Sequence, residues 1–203
     1  MDEGRSTESI TAATTPAPSQ LESKPGLTVN FDTLVILGER IFLSTRVDFY
    51  ANEIFREFTT EITRYMMPQP CATRADFERV LQQFAQQRAN KTDILFVILK
   101  KESGEFLGCC GIHVGNNARV PHVGLWIKKG AHGHRYGREA IRTLIQYASE
   151  HLVVEGFFYP VDRRNIPSVK IPESLGGSVV EEVKVTKSNG EELDEFVYHI
   201  PVR

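Results

Sequence analysis

Apolar positions recur at helical spacing in the first half of the chain and at strand spacing through most of the second half. "TLVILGERIFLSTRV" alternates enough for a first strand or hairpin. "DFYANEIFREF" carries Phe49, Ile54, Phe55 and Phe58 at helical intervals. "TEITRYMMPQP" reads as a short helix stopped by Pro68 and Pro70. "TRADFERVLQQFAQQRAN" predicts an amphipathic helix capped by Thr73, with Phe77, Val80, Leu81 and Phe84 as its apolar stripe. The texture then changes. "TDILFVILKK" is a run of β-branched and aromatic residues, "ESGE" turns it, and "FLGCCGIHVG" runs back. "VPHVGLWIKK" is the next strand. "GREAIRTLIQYASEHL" is a helix with Ala140, Ile141, Leu144, Ile145 and Ala148 facing inward. "VEGFFYPVD" is a strand, and "NIPSVKIPESLGG" a short helix ending at Gly176 and Gly177. The last segment is two strands around Asn189-Gly190, a strong hairpin signal. The order is strand, helices, three strands, helix, strand, helix, two strands: a mixed α/β layer fold without internal repeats.

Composition narrows the picture. Residues 1–27 are rich in Ser, Thr, Ala, Pro and Glu, hold almost no large apolar side chain, and are expected to form a flexible tail ahead of a single domain over residues 28–203. A formal net charge of -2 argues against a general nucleic-acid footprint. No uninterrupted apolar run approaches a membrane span, and the amino terminus lacks a hydrophobic signal core. The three cysteines, Cys71, Cys109 and Cys110, read as buried thiols in a reducing, cytoplasmic setting. Cys109 and Cys110, adjacent in one strand, should face opposite sides of the sheet.

Chemistry concentrates in "LWIKKGAHGHRYGREAIRTLIQYA". Gly130, Gly133 and Gly137 lie between a strand and a helix, where backbone amides turn toward an anion and the helix start carries partial positive charge. No Gly-Lys-Ser/Thr and no G-x-G-x-x-G occurs here. By itself the loop suits an ordinary connection as well as a phosphate cradle. His132 and His134 have no third ligand in view, so no metal is expected.

"HVGLWI", "HGHRYG" and Glu139-Ala140, with Asn165, Ser168 and "LGG" from Leu175 downstream, resemble the GCN5-related N-acetyltransferase (GNAT) family, especially its ribosomal-protein amino-terminal branch. There the strand reads like "EIGYWL", the loop like Q/R-x-x-G-x-G/A, the helix opens on "EA", and "N-x-x-S" precedes "LGF". The resemblance covers about residues 34–203. It implies an α/β (α+β) fold with a mixed, mostly antiparallel sheet of about seven strands, splayed in the middle and flanked by about four helices. It implies an acetyl-CoA-dependent enzyme, monomeric or homodimeric, that acetylates a primary amine by direct attack in a ternary complex. The acceptor would be a protein amino terminus or a small amine, seated between residues 47–90 and the final hairpin.

The resemblance also distributes roles. Amides of His132, Gly133, His134, Arg135, Tyr136, Gly137 and Arg138 would cradle the pyrophosphate. The strand holding Trp126, Ile127 and Lys128 would receive the pantetheine arm on the exposed backbone of Ile127 and Lys128, and Asn165 would bond that arm. His122 stands where the family places a glutamate base, and an imidazole accepts a proton near neutral pH. Ser168 stands where the family protonates the leaving thiolate, although a serine there also suits a helix cap. Arg135 replaces a loop glycine, Pro172 interrupts the last helix, and Gly177 stands in place of phenylalanine. The substitutions at residues 122 and 135 favour a second class, a non-catalytic acyl-CoA-binding regulatory module. A third class is a nucleotide-binding protein using the same loop.

Overall fold

The computed structural model describes residues 19–202. In chain order the elements are β1 (Val35–Leu37), β2 (Ile41–Ser44), α1 (Ala51–Glu57), α2 (Arg74–Ala89), β3 (Asp93–Lys100), β4 (Phe106–His113), β5 (His122–Ile127), α3 (Tyr136–His151), β6 (Gly156–Asp162), α4 (Ile166–Ser174), β7 (Ser178–Thr186) and β8 (Glu192–Pro201). The eight strands form one sheet in the order β1-β2-β3-β4-β5-β6-β8-β7. One more strand is present than the seven expected, because "TLVILGERIFLSTRV" folds back on itself as the β1–β2 hairpin.

Every pairing is antiparallel except β5 with β6, which is parallel and holds at one position, His122 with Phe158. Phe158 N–H also donates to Pro121 O at 3.0 Å. Beyond that point the two strands separate. The sheet therefore has a forked centre, closed at the amino end of β5 and open at its carboxyl end.

The two faces bury different cores. On one, Ala140, Ile141, Leu144, Ile145 and Ala148 of α3 meet Ile94, Phe96, Cys110, Val123 and Phe157. On the other, Val47, Ile54 and Phe77 from the α1–α2 region meet Val97, Leu99, Phe106 and Cys109. Cys109 and Cys110 thus enter opposite cores, as period-two alternation requires. Burial, with Cys110 adding to it for Cys109, pushes both thiols well above their usual pKa.

Thr73 caps α2 by accepting from Asp76 N–H at 3.1 Å. Of the expected stripe only Phe77 is buried. Leu81 and Phe84 instead line a surface pocket of about 280 Å³ with Arg46 and Arg88. The segment expected as a helix before Pro68 is a single 3₁₀ turn, Ile62–Tyr65.

Part of the expected tail packs on the domain. Leu21 is 1% exposed and its N–H donates to Lys91 O, while Lys24 Nζ donates to Ser149 O at 2.6 Å. The boundary expected at residue 27 therefore moves toward the amino terminus; residues 1–18 of that tail lie outside the described residues. Among the described residues no helix is long and apolar enough to cross a membrane.

Candidate active site

The glycine loop closes the open end of the fork. After β5 a short 3₁₀ turn, Lys129–Ala131, leads to Gly133 at φ +82° and Arg135 at φ +62°, and α3 starts at Tyr136. Arg135 is left-handed, which for a residue with a Cβ is unfavourable by ~1 kcal/mol. Those reversals turn successive amides toward the helix start, whose first-turn N–H groups have no intrahelical acceptor. Gly137 has a different reason to be glycine: a Cβ there would lie 2.6 Å from Leu125 Cδ1, so α3 sits directly on β5.

Arg40, absent from the sequence reading, staples this loop. Its N–H and Nε donate to the two oxygens of buried Glu139 at 2.6 and 2.8 Å, and Nη2 donates to His134 O at 3.2 Å. Glu139 thereby gains a reason beyond its place in the motif. Among the loop side chains, His132 Nε2 lies 2.8 Å from Ile127 O, His134 Nδ1 lies 2.8 Å from His132 O, and Arg138 Nε donates to Ser174 Oγ.

Along the fork, Pro121 O faces β6, whereas Lys128 N–H donates to Leu107 O of β4. Alternation then directs the main-chain groups of Val123, Leu125 and Ile127 into the gap. Lys128, whose backbone was expected to receive the arm, has its amide paired on the other side in this register. Its side chain also turns away, donating to Glu105 at 2.8 Å. Trp126 belongs to a wall, packed against Phe58 and Phe106 at ring distances of 5.1 and 5.7 Å.

At the closed end His122 packs edge-on against Phe158, with centroids 5.5 Å apart. Burial, then the neighbouring His113, lowers its pKa below the usual imidazole value, so His122 is neutral at pH 7. On the far side of the gap Asn165 precedes α4 without capping it through its side chain. Ser168 is no cap either: its Oγ lies 2.8 Å from the hydroxyl of buried Tyr159. Burial raises the Tyr159 pKa, outweighing the Ser168 bond, so this hydroxyl keeps its proton. Tyr159 was missed because nothing local to "GFFYPVD" singles it out.

The departures in α4 have local explanations. Pro172 sits in the last turn, where it takes one N–H from the ladder close to the helix end, and its carbonyl accepts from Gly177 N–H at 2.8 Å. A Cβ at Gly177 would lie 2.9 Å from that carbonyl oxygen, so no side chain fits.

The acidic carboxy-terminal region is largely paired. Arg163 binds Glu182 and Asp194, and Arg164 binds buried Asp162. Buried Lys187 binds Glu191 and donates to the carbonyls of Thr63 and Arg64, which ties the β7–β8 turn to the 3₁₀ segment beside α1.

Three comparisons bear on this arrangement. The model of the acetyltransferase (GNAT) domain family matches residues 41–178. The uncharacterized N-acetyltransferase p20 of Bacillus licheniformis is 26% identical over 117 residues, or 57% of this chain; the match spans 65% of that relative's length. Among solved structures, a GCN5-related N-acetyltransferase from Brucella melitensis superposes with a TM-score of 0.71 at 17% identity, covering 92% of this chain and 82% of that one. RimL, a ribosomal-protein acetyltransferase in complex with coenzyme A, superposes with a TM-score of 0.72 at 11% identity, covering 83% and 98%.

Proposed function

Because the chain belongs to the acetyltransferase (GNAT) domain family, we propose that it is an acetyl-CoA-dependent N-acetyltransferase acting on a primary amine, with a protein amino terminus as the first acceptor to test. One observation carries this reading. The β5–β6 fork runs from the α3 amino-terminal turn to a pair of histidines, His122 and its cross-strand partner His113. Five residue steps along β5 span about 16 Å, room for an extended arm.

The residues fit the co-substrate. The α3 first turn offers amides and a favourable dipole for a diphosphate. Main-chain groups of Leu125 and the Ile127 N–H face the gap, with the Ile127 carbonyl held by His132. Bound there, acetyl-CoA supplies an acetyl group activated as a thioester. The chain's own residues do the rest. Asn165 borders the arm. A histidine of this pair takes a proton from the incoming ammonium. Ser168, bonded to Tyr159, holds a proton on the α4 side of the gap. The Trp126–Phe58–Phe106 wall keeps water from the opposite face of β5.

Calorimetric titration with acetyl-CoA, ATP and GTP, followed by thiol release over a panel of amino-terminal peptides, polyamines and amino acids, tests this. Acetyl-CoA should bind tightest, with turnover on at least one amine. Binding without turnover would favour a regulatory module, and tighter nucleotide binding would remove the assignment.

A further inference from the structure

Beside the fork lies a cluster of which the family resemblance assigns only His122. Asp93, His113 and His122 stand in register on three neighbouring strands, Asp93 opposite His113 and His113 opposite His122. Asp93 Oδ2 lies 2.8 Å from His113 Nδ1. Asp93 is mostly buried and its Oδ1 has no hydrogen-bond partner. A carboxylate on Nδ1 fixes the proton there and leaves Nε2 with its lone pair.

The direction of that lone pair decides the matter. A Cβ on Gly111 would lie 3.1 Å from both Cε1 and Nε2 of His113, so the ring leans over Gly111. Gly111 is paired with Gly124 on β5, and a Cβ on Gly124 would meet nothing within 4 Å. The His113 ring covers Gly111, while Gly124 leaves a bare spot of sheet beside the fork, between Trp126 on one side and the histidines on the other. His122 points elsewhere. Its Cδ2 and Nε2 lie 3.9 Å from where a Gly115 Cβ would stand, and its ring rests on Phe158.

We propose, building on the acetyltransferase reading above, that His113 is the proton acceptor, that Asp93 positions it, and that the acceptor amine lies over Gly124, beside the His113 ring. His122 is then a wall of the fork. The incoming ammonium gives one proton to His113 Nε2, and its nitrogen gains the lone pair for attack. The second proton released as the amide forms matches the one taken up by the departing thiolate. One proton per turnover leaves through the half-exposed His113 ring to water. The titratable groups around His113 are Asp93 on β3 and His122 on β5, and the imidazolium formed is matched by the Asp93 carboxylate.

The test uses the full chain and its His113→Asn, His113→Gln, Asp93→Asn and His122→Asn variants. Two readouts are taken: thiol release with the best amine of the panel across pH 6–9, and imidazole nitrogen shifts by NMR. His113→Asn and His113→Gln should lower kcat by ~100-fold, flatten the rise of rate with pH, and leave acetyl-CoA affinity unchanged. Asp93→Asn should lower kcat by at least ~10-fold and release His113 from the Nδ1–H tautomer seen in the parent. His122→Asn should keep the rise of rate with pH that the His113 variants lose. A His113→Asn variant that turns over normally, or a parent His113 carrying its proton on Nε2, overturns this assignment alone. A parent chain that binds acetyl-CoA and acetylates nothing overturns the activity reading and this assignment with it.

Discussion

Arg40 shows how much of the loop rests on a side chain far away in sequence. Its fork satisfies a buried carboxylate and a loop carbonyl together, and its guanidinium lies 5.0 Å from the Tyr136 ring centroid. Arg40→Ala leaves Glu139 with one backbone donor and no counter-charge. Breaking a buried pair on one side costs about 3 kcal/mol, and in a domain of this size that lowers Tm by roughly 5–12 °C. Thermal unfolding with and without acetyl-CoA checks it, and the affinity should fall along with Tm. Sequence reading reached Glu139 through its motif but could not reach Arg40, because the two meet only when the β1–β2 turn packs on α3. His113 and Asp93 were hidden differently. They sit at opposite ends of a hairpin whose register, unlike its existence, depends on where "ESGE" turns and on the irregularity between Ile98 and Leu99.

Among the elements, α4 departs furthest from its family pattern and explains itself best. At the end of the helix the Pro172 carbonyl has no acceptor role within the ladder, Gly177 N–H bonds to it, and the space for a side chain disappears. Restoring the family residue with Gly177→Phe should therefore destabilise the protein by about 1–3 kcal/mol, read as a lower midpoint in urea at unchanged slope; an unchanged midpoint would refute the steric account. Strong periodicity served the other elements well. The α3 stripe enters the core as its spacing predicts, and Asn189-Gly190 turns a hairpin. The α2 stripe misled in part, because two of its four apolar positions, Leu81 and Phe84, border a surface pocket. Spacing marks an apolar face without stating how much cover that face receives.

For the whole molecule, the forked sheet was legible only through resemblance. Alternation along β5 and β6 looks the same whether two strands pair fully or at one rung, since the rung is set by the Gly137 contact and the chain entering from Pro121. Leu21 lies ahead of the boundary expected at residue 27 yet fills a slot in the core, because one leucine in a polar stretch carries little compositional weight. A chain beginning at residue 28 loses Leu21 and the bonds from Lys24, worth ~3 kcal/mol together, compared with one beginning at residue 19. The paired cysteines give a direct way to see it. Cys109 and Cys110 are sealed from opposite sides, and an alkylating reagent meets each only when the layer over it parts, while half-exposed Cys71 reacts from the closed form. Shortening the chain should speed modification of the sealed pair about a hundredfold and leave Cys71 unchanged. One strand thus carries a stopwatch for each half of the protein, and two neighbouring sulfurs report whether those halves let go together or in turn.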